Sequence, residues 1–428
     1  MDKTRELTLK ILYKIEKEKA YSNIVLDETI KKNKDKLESR DIGLMSELVY
    51  GVTSWKLTLD EIIKKHSKIK IKKISPWILN ILRMGIYQII FLDKIPKSAA
   101  VNESVTLAKR YGHSGSSGFV NALLRKVDKK DYEELFSIQD EVKRNSLVYS
   151  MPEWIVQKLL NQKGEKAVEH ICENSNVRPK LTIRVNNLKT NKEKLKKELS
   201  KNNIEFEETD QEDFLILKKQ KNIENMDLFK EGMFFVQDLS AGLVAKILDP
   251  KQNEIVLDAC SAPGGKTTYL AQLMNNKGII EAWDIHDHRL KLVEENAKRL
   301  GINIINTARA DATKLREDLI EKFDKILLDV PCLGLGVIKR KPDIKWQRNL
   351  EDVEKISKIQ FEILETCSNY LKSGGEMVYS TCSILKEENE TIVKKFLERK
   401  KGFKIEKIIN IEPSEIYDGF FICKIVKK

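Results

Sequence analysis

The chain is poor in cysteine and proline, with six and nine among 428 residues. No two cysteines form a CxxC pair, so a disulfide framework or a zinc cluster is not expected, and the sequence predicts a metal-free protein of the reducing cytoplasm. It has no apolar run long enough for a membrane, because the longest, Trp77 to Leu92, is interrupted by Asn80, Arg83 and Gln88. The N-terminus MDKTRELTLK contains no apolar stretch, which argues against a signal peptide.

Positive charge is present in excess, and it is unevenly distributed. The chain has 77 basic and 65 acidic residues, a net charge of +12. Residues 1–150 hold 29 basic and 20 acidic side chains, whereas residues 251–428 hold 31 and 28. The imbalance favours a nucleic-acid partner bound by the N-terminal part. For the single basic run at residues 63–73, a solvated helix face is an equally good interpretation.

Hydrophobic periodicity predicts a multidomain chain. Residues 1–140 carry apolar side chains at three- and four-residue spacing, as in WILNILRMGIYQIIFL, which predicts an all-α bundle of six or seven helices. Residues 145–245 combine a helix from Pro152 to Leu160, a strand at LTIRVN, a charged helix and strand-like pieces at FLILK and MFFVQD, which is typical of a small α/β domain.

Residues 246–428 alternate strands and helices. The strand-like pieces are EIVLDA, GIIEAWDI, INIINTARAD, KILLDV, GEMVYST and FFICKIV. We expect helices between each of the first five strands and a doubly wound, mostly parallel α/β sheet of Rossmann-like type.

A glycine-containing turn follows the first of these strands. The strand ends at Asp258, and ACSAPGGK (259–266) leads into the helix TTYLAQLM. Such a turn lets a ligand approach the backbone at a helix N-terminus, although a ligand-free turn is the plain alternative. Asp284 ends the second strand, where it can accept bonds from ribose hydroxyls, and Asp311 ends the third, where it can contact an adenine amino group. The turn is neither GxGxxG nor a Walker A loop, which disfavours a nicotinamide dehydrogenase.

Two cysteines follow neighbouring strands of the predicted sheet. Cys332 follows the fourth strand and Cys382 the fifth, so both thiols are expected beside one ligand crevice, with Asp329 on the same edge. The basic residues after Cys332 supply positive charge for a thiolate or bind phosphate; they are Lys339, Arg340, Lys341 and Lys345. The other cysteines are interpreted as packing residues: Cys172, Cys260, Cys367 and Cys423.

These motifs resemble those of RNA (cytosine-5)-methyltransferases. The resemblance rests on DACSAPGGKTTYLAQLM, LLDVPCLGLGVIKRKPDIKW, MVYSTCSILKEENE and DGFFICKI, and it covers residues 145–428. IPKSAAVNESVTLAKRYG (95–112) and GFVNALLRKV (118–127) resemble the NusB RNA-binding domain. The combination is similar to the members of that family that act on 16S ribosomal RNA. Two departures are Ser261, where alanine is usual, and Leu333, where serine is usual.

The resemblance implies a chemistry and a set of site residues. It implies S-adenosyl-L-methionine as cofactor, Cys382 as the nucleophile that adds to cytosine carbon 6, Cys332 as the residue that assists product release, and Asp329 at ring nitrogen 3, with Lys266 supporting acid–base steps. The implied cofactor-binding residues are Cys260, Ser261, Ala262, Pro263, Gly264, Gly265, Lys266, Asp284, Arg289, Asp311 and Asp329.

The resemblance also implies a partner and a domain division. The partner is 16S ribosomal RNA with a single-stranded or locally opened target cytosine, and we expect a monomer. The implied domains are a NusB-like RNA-binding bundle (1–140), a small α/β linker (145–245) and the methyltransferase (246–428). Two alternatives stay open: a cytosine-5 methyltransferase acting on transfer RNA or another ribosomal site, and a non-catalytic NusB-like RNA-binding factor.

Overall fold

The computed structural model describes residues 2–218 and 223–428, and these divide into two compact units. The first, called here the helical unit, runs to Asn176 and includes Ile338–Asn349. The second, the sheet unit, comprises Val177–Val337 and Leu350–Lys428. Within the described residues, every helix is too short or too polar to cross a lipid bilayer.

The helical unit contains no strand among its described residues. Its helices are α1 (Lys3–Glu18), α2 (Ser22–Lys32), α3 (Ser39–Ser54), α4 (Lys56–His66), α5 (Pro76–Phe91), α6 (Lys97–Tyr111), α7 (Ser116–Lys126), α8 (Lys130–Glu133), α9 (Glu141–Val148), α10 (Glu153–Lys163), α11 (Glu165–Asn174) and, from the distant segment, α17 (Ile344–Gln347). The predicted bundle is therefore confirmed, with α1 to α7 as its seven long helices.

Helix α5 lies at the centre of the bundle because it is apolar on nearly all sides. Ser75 caps its N-terminus by accepting a hydrogen bond from the amide of Ile78, and Pro76 occupies the first helical position, where no amide is needed. Twelve of its sixteen residues are buried. One of these is Arg83, whose guanidinium pairs with Asp60 on α4 and Glu16 on α1. The core and this ion-pair cluster hold the three helices together.

The sheet unit contains two sheets. Its helices are α12 (Lys192–Lys201), α13 (Asp227–Lys230), α14 (Leu239–Leu248), α15 (Gly265–Leu273), α16 (Asp287–Leu300), α18 (Leu350–Cys367) and α19 (Glu390–Arg399). Its strands are β1 (Leu181–Val185), β2 (Phe206–Glu208), β3 (Phe214–Leu217), β4 (Phe234–Val236), β5 (Ile255–Asp258), β6 (Ile279–Asp284), β7 (Ile305–Arg309), β8 (Phe323–Asp329), β9 (Leu371–Thr381), β10 (Phe403–Ile411) and β11 (Phe420–Lys427). The small sheet is antiparallel in the order β2-β3-β1-β4.

The large sheet has seven strands in the order β10-β11-β9-β8-β5-β6-β7. The five strands from β9 to β7 are parallel, and β10 and β11 form an antiparallel hairpin against β9. The strand order reverses between β5 and β8, which is where ligands bind in doubly wound sheets. The predicted mostly parallel, doubly wound sheet is therefore confirmed, including the pairing of the fourth strand with the fifth.

The expectation of a helix between the third and fourth strands was wrong. Residues 310–322 contain a single short 3-10 turn, Glu317–Leu319. Local polar bonds hold this connection: Asp311 accepts from the amide and hydroxyl of Thr313, and the hydroxyl of Tyr370 accepts from the amide of Arg316. The edge strands β2 and β10 were not predicted. Their side chains are partly or fully exposed, so the sequence of each strand shows little apolar alternation.

Candidate active site

Three strands of the large sheet end beside one another at the point of strand-order reversal. They are β5, β8 and β9, ending at Asp258, Asp329 and Thr381. The loop after each strand carries one element of the predicted site: the glycine turn, Cys332 and Cys382. Parallel strands present their carboxyl ends at a common edge, so the sheet brings these loops together.

The two thiols predicted to share a pocket are in direct contact. Cys332 Sγ and Cys382 Sγ lie 3.0 Å apart, and both side chains are partly accessible. The hydrogen bond with Cys382, together with burial, raises the pKa of the Cys332 thiol well above its usual value. Cys332 therefore keeps its proton and can donate it toward the sulfur of Cys382.

A lysine and an aspartate form a partly buried ion pair next to the thiols. Lys266 Nζ lies 2.7 Å from Asp329 Oδ2, and the Ser380 hydroxyl donates to Asp329 Oδ1 at 2.9 Å. Burial opposes the charge on Lys266, but the carboxylate of Asp329 and the sulfur of Cys382 outweigh burial and raise the pKa of the lysine. The pair places a cation within electrostatic reach of Cys382.

Glu388 connects the two cysteine loops, and sequence reasoning did not identify it. Its buried carboxylate accepts from the amide of Leu333 at 2.9 Å, from Gln360 Nε2 at 3.0 Å, and from the hydroxyl of Ser383. Leu333 and Ser383 directly follow Cys332 and Cys382. The amide of Leu333 thus makes this bond, so the departure from serine at this position does not remove it. The only sequence signal was an acidic run after the second cysteine.

Arg184 of β1 holds the glycine turn by hydrogen bonds. This fully buried guanidinium donates to the carbonyl of Gly265 at 2.7 Å, to Thr268 Oγ1 at 3.0 Å and to Gln237, and it lies 4.5 Å from the ring centre of Tyr269. Burial lowers its pKa to about 9. Gly264, at the tip of the turn, has φ +97°, a backbone conformation that residues other than glycine rarely adopt.

A cavity of about 170 Å³ lies against this turn, and its walls suit a polar ligand. It is lined by Phe235, Val236, Gln237, Ala241, Asp258, Cys260, Ser261, Ala262, Pro263, Gly265, Lys266 and Asp329. Two buried polar atoms in this wall, Gln237 Nε2 and Asp258 Oδ1, have no hydrogen-bond partner among the described residues. Burial and the nearby charge of Asp329, opposed by a bond from Thr267, raise the pKa of Asp258 to about 7. A ligand with polar groups here would satisfy both orphaned atoms.

Four of the predicted cofactor-binding residues lie outside the lining of that cavity: Gly264 at the tip of the turn, and Asp284, Arg289 and Asp311. Asp284 Oδ2 pairs with Arg289 Nη1 at 2.9 Å, and Asp284 Oδ1 accepts from the amide of His286. Arg289 also donates to the carbonyl of Ala262, so it connects the second strand to the turn. Asp311 is exposed beyond the end of β7. Their contact with a cofactor stays a prediction.

One predicted source of charge for the thiols was wrong. Lys345 lies buried in the helical unit, where its ammonium donates to Asn176 Oδ1 at 2.7 Å and to the carbonyl of Ser54 at 3.2 Å. The aliphatic chain and the ammonium group of Lys345 lie inside the helical unit, whereas both thiols belong to the sheet unit. The interpretation of Cys172, Cys367 and Cys423 as packing residues is confirmed, because all three are fully buried.

The sheet order, the glycine turn and the paired thiols define a class of protein: a Rossmann-like methyltransferase joined to a helical domain. Comparisons with known families agree. Residues 245–423 match the family model described as 16S rRNA methyltransferase RsmB/F. Residues 2–129 match the NusB family, and residues 151–224 match a ferredoxin-like domain of RsmF/B-like methyltransferases.

Two relatives match along nearly the whole chain, and a third matches part of it. A protein of Bacillus subtilis named "Probable ribosomal RNA small subunit methyltransferase B" is 38% identical over 443 residues, which cover 99% of this chain and 98% of the relative. The crystal structure of PH0851 has 28% identity and a TM-score of 0.82, covering 100% of this chain and 99% of that one. The crystal structure of NSun6 from Pyrococcus horikoshii with SFG has 27% identity and a TM-score of 0.60, covering 64% of this chain and 98% of that one.

The chain belongs to the 16S rRNA methyltransferase RsmB/F family. Its N-terminal bundle is a NusB-type domain, and the cofactor of its methyltransferase domain is S-adenosyl-L-methionine. The residues of the turn fit this cofactor, since the cavity there combines a glycine approach with orphaned polar atoms on Gln237 and Asp258.

Proposed function

We propose that this protein methylates carbon 5 of a cytosine in 16S ribosomal RNA through a covalent adduct between Cys382 and ring carbon 6. The observation that carries the proposal is the 3.0 Å contact between two thiols, one of which retains its proton, beside the partly buried Lys266–Asp329 pair. Cytosine carbon 5 is a poor nucleophile, and addition of a thiolate at carbon 6 makes it electron-rich. When bound, S-adenosyl-L-methionine supplies an electrophilic methyl group.

Each residue of the cluster has a separate part in this proposal. Cys382 forms the bond to carbon 6 and, once a general base has taken the proton from carbon 5, is expelled as the carbon–sulfur bond breaks. Asp329, held by Lys266 and Ser380, passes a proton from the Lys266 ammonium to ring nitrogen 3, which keeps the ring neutral as the thiolate adds, and this proton returns to the pair when the product leaves. Cys332 assists release by returning a proton to the sulfur pair as the adduct breaks down. The cavity wall from Cys260 to Lys266 holds the cofactor, with Asp284, Arg289 and Asp311 toward its nucleoside end.

The three matched regions support a division of labour along the chain. We assign residues 1–140 to RNA binding, residues 145–245 to a linker that supports the glycine turn through Arg184, and residues 246–428 to methyl transfer. The target base must leave its stack to reach a thiol, which costs a few kcal/mol. The basic N-terminal domain offsets that cost through contacts with phosphates.

Replacement of the two active thiols tests the assignment. Cys382→Ala should abolish transfer of labelled methyl groups to 16S ribosomal RNA while calorimetry still shows cofactor binding. Cys332→Ala should accumulate a protein–RNA adduct that survives denaturing electrophoresis, because adduct breakdown lacks its proton donor. The control is Cys367→Ala, which removes a fully buried sulfur of the same unit that lies outside the thiol pair.

Two results would contradict the proposal. Full turnover by Cys382→Ala would remove this residue as nucleophile, and absence of any denaturant-resistant species with Cys332→Ala would remove the release role. Methylation of transfer RNA in place of 16S ribosomal RNA would redirect the substrate assignment and leave the chemistry intact.

A further inference from the structure

The helical unit contains a cavity that the methyl-transfer chemistry does not use. It measures about 560 Å³ and is lined by Leu12, Ile15, Glu16, Lys19, Tyr21, Val52, Thr53, Lys56, Asn80, Arg83, Asp343, Trp346, Gln347, Arg348 and Asn349. All of these residues belong to the helical unit, and the last five come from the segment Ile338–Asn349. A cavity of this size is within the range of about 300–1,000 Å³ that small-molecule sites occupy.

The segment that closes this cavity is fixed in place by side-chain bonds. Trp346 Nε1 donates to the carbonyl of Thr53 at 2.7 Å, and Gln347 Nε2 donates to the carbonyl of Lys19 at 3.1 Å. Asp343 Oδ2 accepts from the amide and the hydroxyl of Ser22. The wall is therefore pre-formed, which reduces the entropy cost of binding.

The inner charges of the cavity neutralise one another. The Arg83 guanidinium is shared between Asp60 and Glu16, and Lys56 pairs with Glu16 at 3.2 Å. These groups form a closed network with two cations and two acids. They offer little net charge to a ligand.

The rim of the cavity, by contrast, carries positive charge and aromatic rings that a ligand can contact. The side chains of Lys19 and Arg348 have no hydrogen-bond or ion-pair partner among the residues that the structure describes. Tyr21 is 44% exposed, and the half-buried ring of Trp346 lines the same cavity, with Lys56 Nζ over it at 5.8 Å from the ring centre. Cations bind phosphate, and aromatic side chains stack on unpaired bases.

A third feature of the wall is a buried acceptor. Asp343 is 2% exposed, and its Oδ1 has no partner among the described residues, whereas its Oδ2 is held by Ser22. A carboxylate oxygen accepts well from the amino group of a base. Phosphate-binding cations, stacking rings and an amino-accepting carboxylate in one cavity match the phosphate, the base face and the base amino group of a nucleotide.

We propose that this cavity binds one unpaired nucleotide of the RNA substrate, with an amino-bearing base against Trp346 and Tyr21 and its phosphate toward Lys19 and Arg348. The inference rests on the proposed function only in taking RNA as the substrate. The segment Ile338–Asn349, which follows the Cys332 loop in the sequence, would then take part in RNA recognition.

The test measures RNA binding by the full-length protein without methyl donor, so that it is independent of catalysis. The probes are ten-nucleotide single-stranded RNAs of adenine, cytosine or uracil, and the free mononucleotides AMP, CMP and UMP. Arg348→Ala and Tyr21→Ala should each raise the dissociation constant for the adenine and cytosine RNAs about tenfold. Double replacement of Lys19 and Arg348 by alanine should lower the salt slope of binding by about 0.7, the value for one lost phosphate contact with a single strand.

The matched control is Lys31→Ala, which removes one exposed positive charge from α2, outside the cavity lining. Equal losses for Lys31→Ala and Arg348→Ala would overturn the proposal in favour of general electrostatic attraction. Tight binding of free AMP or CMP, with no response of the RNAs to the variants, would also overturn it, since the cavity would then serve a small molecule. Weakened RNA binding in a protein that transfers no methyl group would uphold this inference and refute the proposed function.

Discussion

Glu388 offers a sharp test of how the thiol pair is held. Its carboxylate is buried and accepts from three donors, the Leu333 amide, Gln360 Nε2 and the Ser383 hydroxyl. Hydrogen bonds to a charged group contribute about 1.5–3 kcal/mol each, and part of this is offset by the cost of keeping a carboxylate out of water. Glu388→Ala should therefore lower the free energy of unfolding by about 4 kcal/mol.

The conservative variant separates positioning from folding. Glu388→Gln keeps the volume. Its amide oxygen can replace Oε2, which accepts from both the Leu333 amide and Gln360 Nε2, and its Nε2 can donate to Ser383 Oγ, so the variant loses mainly the negative charge that strengthens these bonds. It should unfold with a penalty of about 1–2 kcal/mol. Its kcat should fall about tenfold, which corresponds to about 1.4 kcal/mol of misplacement at the thiols. The Michaelis constant for S-adenosyl-L-methionine should stay constant, because Glu388 is not among the residues that line the cavity at the glycine turn.

The assay combines urea unfolding with steady-state methyl transfer for wild type, both Glu388 variants and Glu398→Ala. Glu398 is an exposed glutamate of α19, so its loss controls for removal of a negative charge nearby. If Glu388→Ala matched Glu398→Ala in unfolding free energy and within twofold in kcat, the argument that Glu388 holds the cysteine loops would be refuted.

Two further predictions concern the glycine turn. Asp258 keeps its proton to about pH 7 in the folded protein, whereas in the unfolded chain it loses the proton near its ordinary pKa of 3.8. The contribution of this group to the free energy of unfolding is therefore fully present below pH 3.8 and is lost as the pH rises to about 7. Relative to Asp258→Asn, wild type should lose up to about 1.4 kcal/mol per pH unit in this window by urea unfolding, and a pH-independent difference would contradict the assignment. Arg184→Lys should weaken cofactor binding about tenfold in calorimetry, because a single ammonium cannot reach the three acceptors of the guanidinium. RNA affinity should stay unchanged. An unaltered cofactor affinity would show that the turn holds its shape without Arg184.

The strand ends could be predicted from the sequence because local patterns determine them. Asp258, Cys332 and Cys382 each follow an apolar run bounded by turn residues, and the connections between parallel strands return the chain to the same edge. The contact between Cys332 and Cys382 across 50 residues follows from the pairing of β8 with β9, which the alternation of strands and helices made the natural expectation.

The groups that hold this edge in place could not be predicted in the same way. Arg184 lies within LTIRVN, where strand alternation normally directs a charged side chain toward solvent, yet it is buried because the glycine turn covers it. Glu388 and Lys345 lie in charged stretches that resemble exposed surface. In each case the partner is a backbone carbonyl, an amide or a side chain distant in the chain, and such partners leave no periodic signal in the sequence.

Two identical thiols in contact need an asymmetry to take different roles, and the buried charges around them supply it. The negative charges of Glu388 and Asp329 contribute to raising the pKa of Cys332, after the bond with Cys382 and burial. Lys266, by contrast, interacts favourably with the sulfur of Cys382. Negative charge therefore opposes ionisation of Cys332, whereas the group that the Cys382 sulfur faces is the Lys266 ammonium. This electrostatic difference, more than the proximity of the sulfurs, supports Cys382 as the nucleophile and Cys332 as its proton donor.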